Sequence, residues 1–167
     1  IDFILPNTKY LEERKHKVKA IVITHGHLDH IGAIPYIMDK IGNPPLYSRN
    51  LTTLMIKKRQ EEFTHLPPMD IRVVEKNDRI TVGDLTLKFF AVTHTIPDSM
   101  GIMIETPYGN IVHTGDLKLD HNDGVPTEAE VDAFEPLSTG NNLMLLADST
   151  NVERPGFSIP EKVVFKN

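Results

Sequence analysis

The chain has 167 residues, 40% of them hydrophobic and 25% charged, enough apolar material for one globular domain with a core. A net charge of −5 argues against a freestanding nucleic-acid-binding domain, which carries a basic face. The absence of cysteine excludes disulfides and thiolate metal sites, and no apolar run approaches the roughly 20 residues that span a bilayer.

Ile1 to Leu5 is apolar and reads as a strand ending at Pro6. No basic leader accompanies it, so a cytoplasmic location is expected. Asn7 or Thr8 is placed to cap a short helix running through Lys15. Ala20 to Thr24 is short, β-branched and bounded, the pattern of a buried strand. Ile31, Ile34, Ile37, Met38 and Ile41 then recur at helical spacing until Gly42, Pro44 and Pro45 stop the helix. Leu46 to Ser48 is a short strand. Asn50 is expected to cap a helix through about Phe63, and Pro67-Pro68 breaks the chain again. The period then shortens to two. Strands are expected over Ile71–Val74, Arg79–Val82 and Leu85–Val92, with a hairpin of Met100–Thr106 and Asn110–His113. A short helix follows from Thr127 to Ala133, and Leu143 to Ala147 reads as a last buried strand. From Ser149 to Asn167 periodicity is weak. Strands and helices mixed in this order make an α/β layered sandwich the expected class.

Against this background His25-Gly26-His27-Leu28-Asp29-His30 stands out. It leaves the carboxyl end of a strand and packs four potential ligands into six residues. Imidazole and carboxylate donors together suit zinc, and also manganese or iron(II). His25 and His27 alternate and can aim at one ion, while Asp29 and His30 point towards a second a few Å away. Two ions so placed can clamp a phosphoester displacement. His94 after Phe89–Thr93 and Asp116 after Asn110–Gly115 repeat the arrangement of a ligand at a strand exit. Such exits converge at one rim of a sheet. Alone, His94 reads as an ordinary strand-end histidine and Asp116 as a turn residue. Their joint occurrence with the first cluster makes both ligand candidates.

These motifs together resemble the metallo-β-lactamase superfamily. More narrowly, the stretch Ile23 to Tyr36, the segments His94-Thr95-Ile96-Pro97-Asp98-Ser99 and His113-Thr114-Gly115-Asp116, and Ala147-Asp148-Ser149-Thr150-Asn151 resemble the beta-CASP ribonuclease J family. The resemblance runs over essentially the whole chain. It implies a metallo-β-lactamase-like αββα sandwich holding two divalent metal ions, zinc first and manganese second. His25, His27 and His94 would hold one ion, Asp29 and His30 the other, and Asp116 would bridge them. Asp29, His30 and Asp116 would thereby serve catalysis, with a two-metal-activated hydroxide attacking RNA phosphodiesters in 5′–3′ exonuclease or endonuclease action. His113, Ser99, Asp148 and Ser149 are candidates for supporting ligands or touching substrate, and loop-ordering is the favoured role for Asp148 and Ser149.

The resemblance also sets what should be missing. Residues 1–167 are expected to form a partial metallo-β-lactamase domain, lacking the family's first strands, its beta-CASP domain and its C-terminal part. The chain would end near the start of the beta-CASP insertion. A last histidine ligand of the second ion and most RNA-gripping residues would lie elsewhere in a homo-oligomeric parent, leaving the isolated piece weakly active or inactive. Two other readings remain: a hydrolase of small esters, thioesters or lactones on the same fold, and a non-catalytic metal-binding module.

Overall fold

The computed structural model describes residues 4–121, 124–156, 159 and 161–164. Two sheets lie face to face with helices outside each. The first is parallel, in the order β1 (Ile21–Val22), β2 (Leu46–Ser48), β3 (Ile71–Val73). The second runs β4 (Arg79–Val82), β5 (Leu85–Ala91), β6 (Met100–Thr106), β7 (Gly109–His113), β8 (Asn142–Leu146). It is antiparallel except for the β7–β8 pair.

The period-two pattern explains the layering, because successive side chains of a strand face opposite ways. Leu46 packs among helices while Tyr47 packs between the sheets. Phe89 and Ile102 face inward, whereas Phe90 and Met103 face outward towards α5 (Glu128–Ser138). Three apolar seams result: helices on the first sheet, sheet on sheet, and α5 on the second sheet. Each fully buried Leu, Ile or Phe side chain there contributes about 1.5–3 kcal/mol of transfer free energy.

Helices follow the expected apolar stripe with one interruption. Ile31, Ile34, Met38 and Ile41 are all buried on one side, yet the segment splits into α2 (Leu28–Ile31) and α3 (Ile34–Ile37). Pro35 has no N–H to donate to the Ile31 carbonyl, so the ladder cannot continue through it. Near the N-terminus, α1 spans Lys9–Glu12 and a 3-10 turn spans Lys15–Lys17. Helix α4 runs Asn50–Gln60, and its N-cap is Arg49, one residue before the Asn50 expected from the sequence. Its buried face is Thr52, Thr53 and Ile56, with Thr53 Oγ1 hydrogen-bonded to Ser48 Oγ at 2.7 Å. Helix α5 outruns its expected end at Ala133. Its capping box is complete: Thr127 Oγ1 accepts from Glu130 N, and Glu130 Oε2 accepts from Thr127 N. The buried Glu130 also takes the Asp120 N–H on Oε1. A last short helix, α6 (Glu161–Val164), lies where the sequence showed little periodicity.

Two expectations are corrected. β8 forms, but its side chains are not buried: Leu143 is 59% and Leu145 66% exposed, because among the described residues β8 is an edge strand paired only with β7. Of the expected strand Ile1–Leu5, residues 1–3 lie outside the described residues, and Ile4 and Leu5 are irregular and exposed. No helix among the described residues is long and apolar enough to cross a membrane.

Candidate metal centre

β5, β7 and β8 share a direction, as their pairings with β6 and with each other require, so their exits meet at one rim. The end of β1 is fastened to the same rim. Met100 N, at the start of β6, donates to Thr24 O at 3.0 Å. Loop 23–27, the turn after β5 and the turn after β7 are thereby brought together.

His25 lies at the centre and is fully buried. Its Nδ1 is 3.0 Å from Thr24 Oγ1, and its Nε2 is 3.0 Å from His27 Nδ1. His94 Nε2 approaches the same His27 nitrogen at 3.1 Å. Asp116 Oδ2 is 3.3 Å from His30 Nε2, 3.8 Å from His25 Nε2 and 3.9 Å from His94 Nε2. Asp29, on the first turn of α2, brings Oδ2 to 3.3 Å from His30 Nε2 while staying largely exposed. Two groups of donors are close enough to hold an ion: His25, His27 and His94, and His25, His30 and Asp116.

Crowding sets the electrostatics. Burial, followed by the neighbouring His30 and His94, pushes His25 down to about 4, against the opposing pull of Asp116. Burial and then His27 likewise lower His94. Both imidazoles are therefore neutral at neutral pH, with nitrogen lone pairs available. A stability prediction follows for protein stripped of metal by chelation. The unfolded chain takes up a proton on His25 near pH 6.5, whereas the native state refuses it until about pH 4. In that window the unfolded state binds more protons, so stability is present above 6.5 and is lost as pH falls towards 4. His94 acts in the same direction. The urea midpoint is expected to drop steadily from pH 7 to pH 4.5, and a flat profile would mean that neither ring is desolvated.

The remaining candidates lie around this cluster rather than in it. Exposed His113 accepts from Gly115 N through Nδ1 at 2.9 Å, shaping the turn that carries Asp116. Asp148 orders the same turn: Oδ2 accepts from Leu117 N at 3.3 Å, and its own N–H reaches Thr114 Oγ1 at 3.2 Å. Bonds from Thr150 to Oδ1 hold its carboxyl below the usual range. Ser99 is buried and donates to Ile96 O at 3.0 Å, while Ser149 is exposed and starts a turn through its carbonyl. Sequence reasoning overlooked Thr24, whose hydroxyl fixes the His25 ring. Its signal was local, a hydroxyl directly before a ligand histidine. It also missed the partners of Asp98. That carboxylate accepts from Leu51 N at 3.1 Å and pairs with Arg49 at 3.2 Å, some 47 residues away in the chain, so no local signal existed.

Comparison with known proteins adds to the geometry. The family model for the metallo-beta-lactamase superfamily matches residues 5–155. The ribonuclease J of Thermus thermophilus is 39% identical over 99% of this chain and 30% of its own length. Ribonuclease J 1 of Streptococcus pyogenes is 39% identical over 98% of this chain and 29% of its own. Among solved structures, Rm3 metallo-beta-lactamase aligns with a TM-score of 0.54 at 18% identity, over 84% of this chain and 61% of that one, a likeness of fold alone. The chain spans about 30% of the length of the curated relatives it matches.

Proposed function

Because the chain belongs to the metallo-β-lactamase superfamily, we propose that it supplies metal-binding and catalytic residues to a ribonuclease J-like hydrolase of RNA phosphodiesters. The observation that carries this reading is the convergence of four imidazoles and Asp116 at one rim, in a chain 39% identical to a ribonuclease J over nearly its whole length. RNA is the proposed substrate of the whole protein. The acidic balance of this chain implies that other parts grip the RNA, and self-association of the whole protein belongs to the same proposal.

The donor geometry supports a fit to two ions. Donors held at zinc bond lengths on a tetrahedron lie about 3.3 Å apart. The His25–His27 and His27–His94 nitrogen separations of 3.0 and 3.1 Å suit that edge. The His30–Asp116 separation of 3.3 Å matches it as well, and Asp29 Oδ2 approaches His30 Nε2 at 3.3 Å from outside that group of donors. His25 Nε2 can serve only one ion, and its shorter approach to His27 than to Asp116 supports counting it in the first set. The first ion would thus be held by His25, His27 and His94, and the second by Asp29, His30 and Asp116, with Asp116 facing both. Nitrogen and carboxylate donors without sulfur suit zinc, with manganese as the alternative.

When bound, two such cations supply an acidified water and offset charge developing on phosphoryl oxygens. The protein's own part is positional. Thr24 Oγ1 engages His25 Nδ1 and leaves Nε2 turned towards the centre. Burial keeps His25 uncharged. Asp29 stands at the exposed mouth with its Oδ2 3.3 Å from His30 Nε2, where it would add a carboxylate to the donors of the second ion.

The test is cleavage of 5′-monophosphorylated RNA by the full-length protein, with and without a chelator, beside a lactone and a thioester. Chelator-sensitive RNA cleavage with no turnover of the small esters is expected. Turnover of the lactone or thioester alone would replace this reading with a small-ester hydrolase. No turnover of any substrate by metal-loaded protein would leave a non-catalytic module.

A further inference from the structure

The loop that carries His94 is tied down at one residue, Asp98. Its backbone is left-handed at φ 63°, a conformation that Asp and Asn tolerate better than other side chains. Its carboxylate does two things there. Oδ2 accepts from Leu51 N at 3.1 Å, the capping position of the 11-residue helix α4, which its own N-cap side chain leaves unserved. Oδ1 lies 3.2 Å from Arg49 Nη2, itself held by Glu75 at 3.0 Å and only 16% exposed. The same helix presses on the metal loop. A Cβ on Gly26 would sit 2.6 Å from Met55 Sδ of α4 and 3.6 Å from Ile96 Cδ1 of the His94 loop. Helix α4 thus abuts both ligand loops, and Asp98 is the polar bond by which the second loop is fastened to it.

We infer that Asp98 is a positioning residue, setting the 3.1 Å approach of His94 to His27 by clamping loop 94–99 to Arg49 and the first turn of α4. This rests on the proposed role of His94 as a ligand. Without the carboxylate the loop keeps its fold but loses its register against α4, and His94 becomes an ill-aimed donor. Supporting groups of this kind are worth about 10–100-fold in metal affinity.

The experiment uses the full-length protein in four forms: wild type, His94→Ala, Asp98→Gly and Asp98→Asn. Zinc affinity is read by competition with a chromogenic chelator, and site geometry by the visible spectrum of cobalt(II) bound in its place. Asp98→Gly accepts the left-handed backbone but deletes the clamp, and should bind zinc about 10–100-fold more weakly with an altered cobalt spectrum. Asp98→Asn keeps an acceptor for Leu51 N and should recover most of the affinity. Wild-type affinity and spectrum in Asp98→Gly would overturn the inference, as would equal losses in Gly and Asn variants with unchanged cobalt spectra. If His94→Ala itself binds zinc normally, it is the ligand reading of His94 that fails.

Discussion

Replacing Asp116 with alanine is expected to leave one bound ion instead of the two proposed, and to lower the proposed RNA cleavage by more than about a hundredfold. The magnitude follows from position. Groups that merely orient ligands are worth about 10–100-fold, and Asp116 Oδ2 is itself within 3.9 Å of three imidazole nitrogens, those of His25, His30 and His94. Among the described residues it is the one carboxylate within 4 Å of all three, so no described neighbour takes its place. The electrostatic effect runs the same way. Asp116 opposes the fall of the His25 and His94 pKa values, so its removal leaves a cluster of neutral donors with less negative charge to balance two dications. Asp116→Asn should reproduce the loss, since shape without charge does not restore it. Metal content by mass spectrometry and a single-turnover RNA assay on full-length protein check both parts. Two ions retained together with undiminished cleavage would remove Asp116 from the site.

The candidate ligands that the structure brings together stand out in the sequence because they follow apolar runs: Thr24-His25 after β1, His94 after β5, and Asp116 after β7. Period-two alternation likewise located β4 to β7 nearly residue by residue, most fully in β5 and β6, where alternate side chains belong to different seams. What stayed hidden depends on partners distant in sequence. Nothing near Leu51 says that its N–H is capped by Asp98. Thr52 and Thr53 look like surface residues, yet they are buried, with Thr53 bonded to Ser48. Leu143 to Leu146 look like core, and their exposure reflects what packs on β8 rather than what β8 contains. His30 and Asp116 fall in one group of donors with His25, although the turn that carries Asp116 lies more than 80 residues downstream of His30.

That turn gives the second large effect, which changes no ligand at all. Gly115→Ala is expected to cost about 1–3 kcal/mol of stability and to reduce RNA cleavage by about a hundredfold. Gly115 has φ 63°, where an L side chain is strained by about 1–2 kcal/mol. The space is occupied too. A Cβ there would lie 2.9 Å from Thr24 Cβ and 3.1 Å from Thr24 Oγ1. Thr24 cannot withdraw freely, because its hydroxyl engages His25 Nδ1 and its carbonyl accepts from Met100 N. The backbone must therefore shift, and it carries Asp116 as the next residue. Gly115 N also donates to His113 Nδ1, and Gly115 O accepts from Thr114 Oγ1 at 2.6 Å, so the shift loosens the whole turn. A displacement near 1 Å at a reacting centre is enough for about a hundredfold loss. Urea unfolding, metal content and RNA cleavage measured on the same variant separate the two consequences. A stability loss with metal content and cleavage intact would mean that the Asp116 turn tolerates displacement, and that proximity of Gly115 to Thr24 serves packing alone.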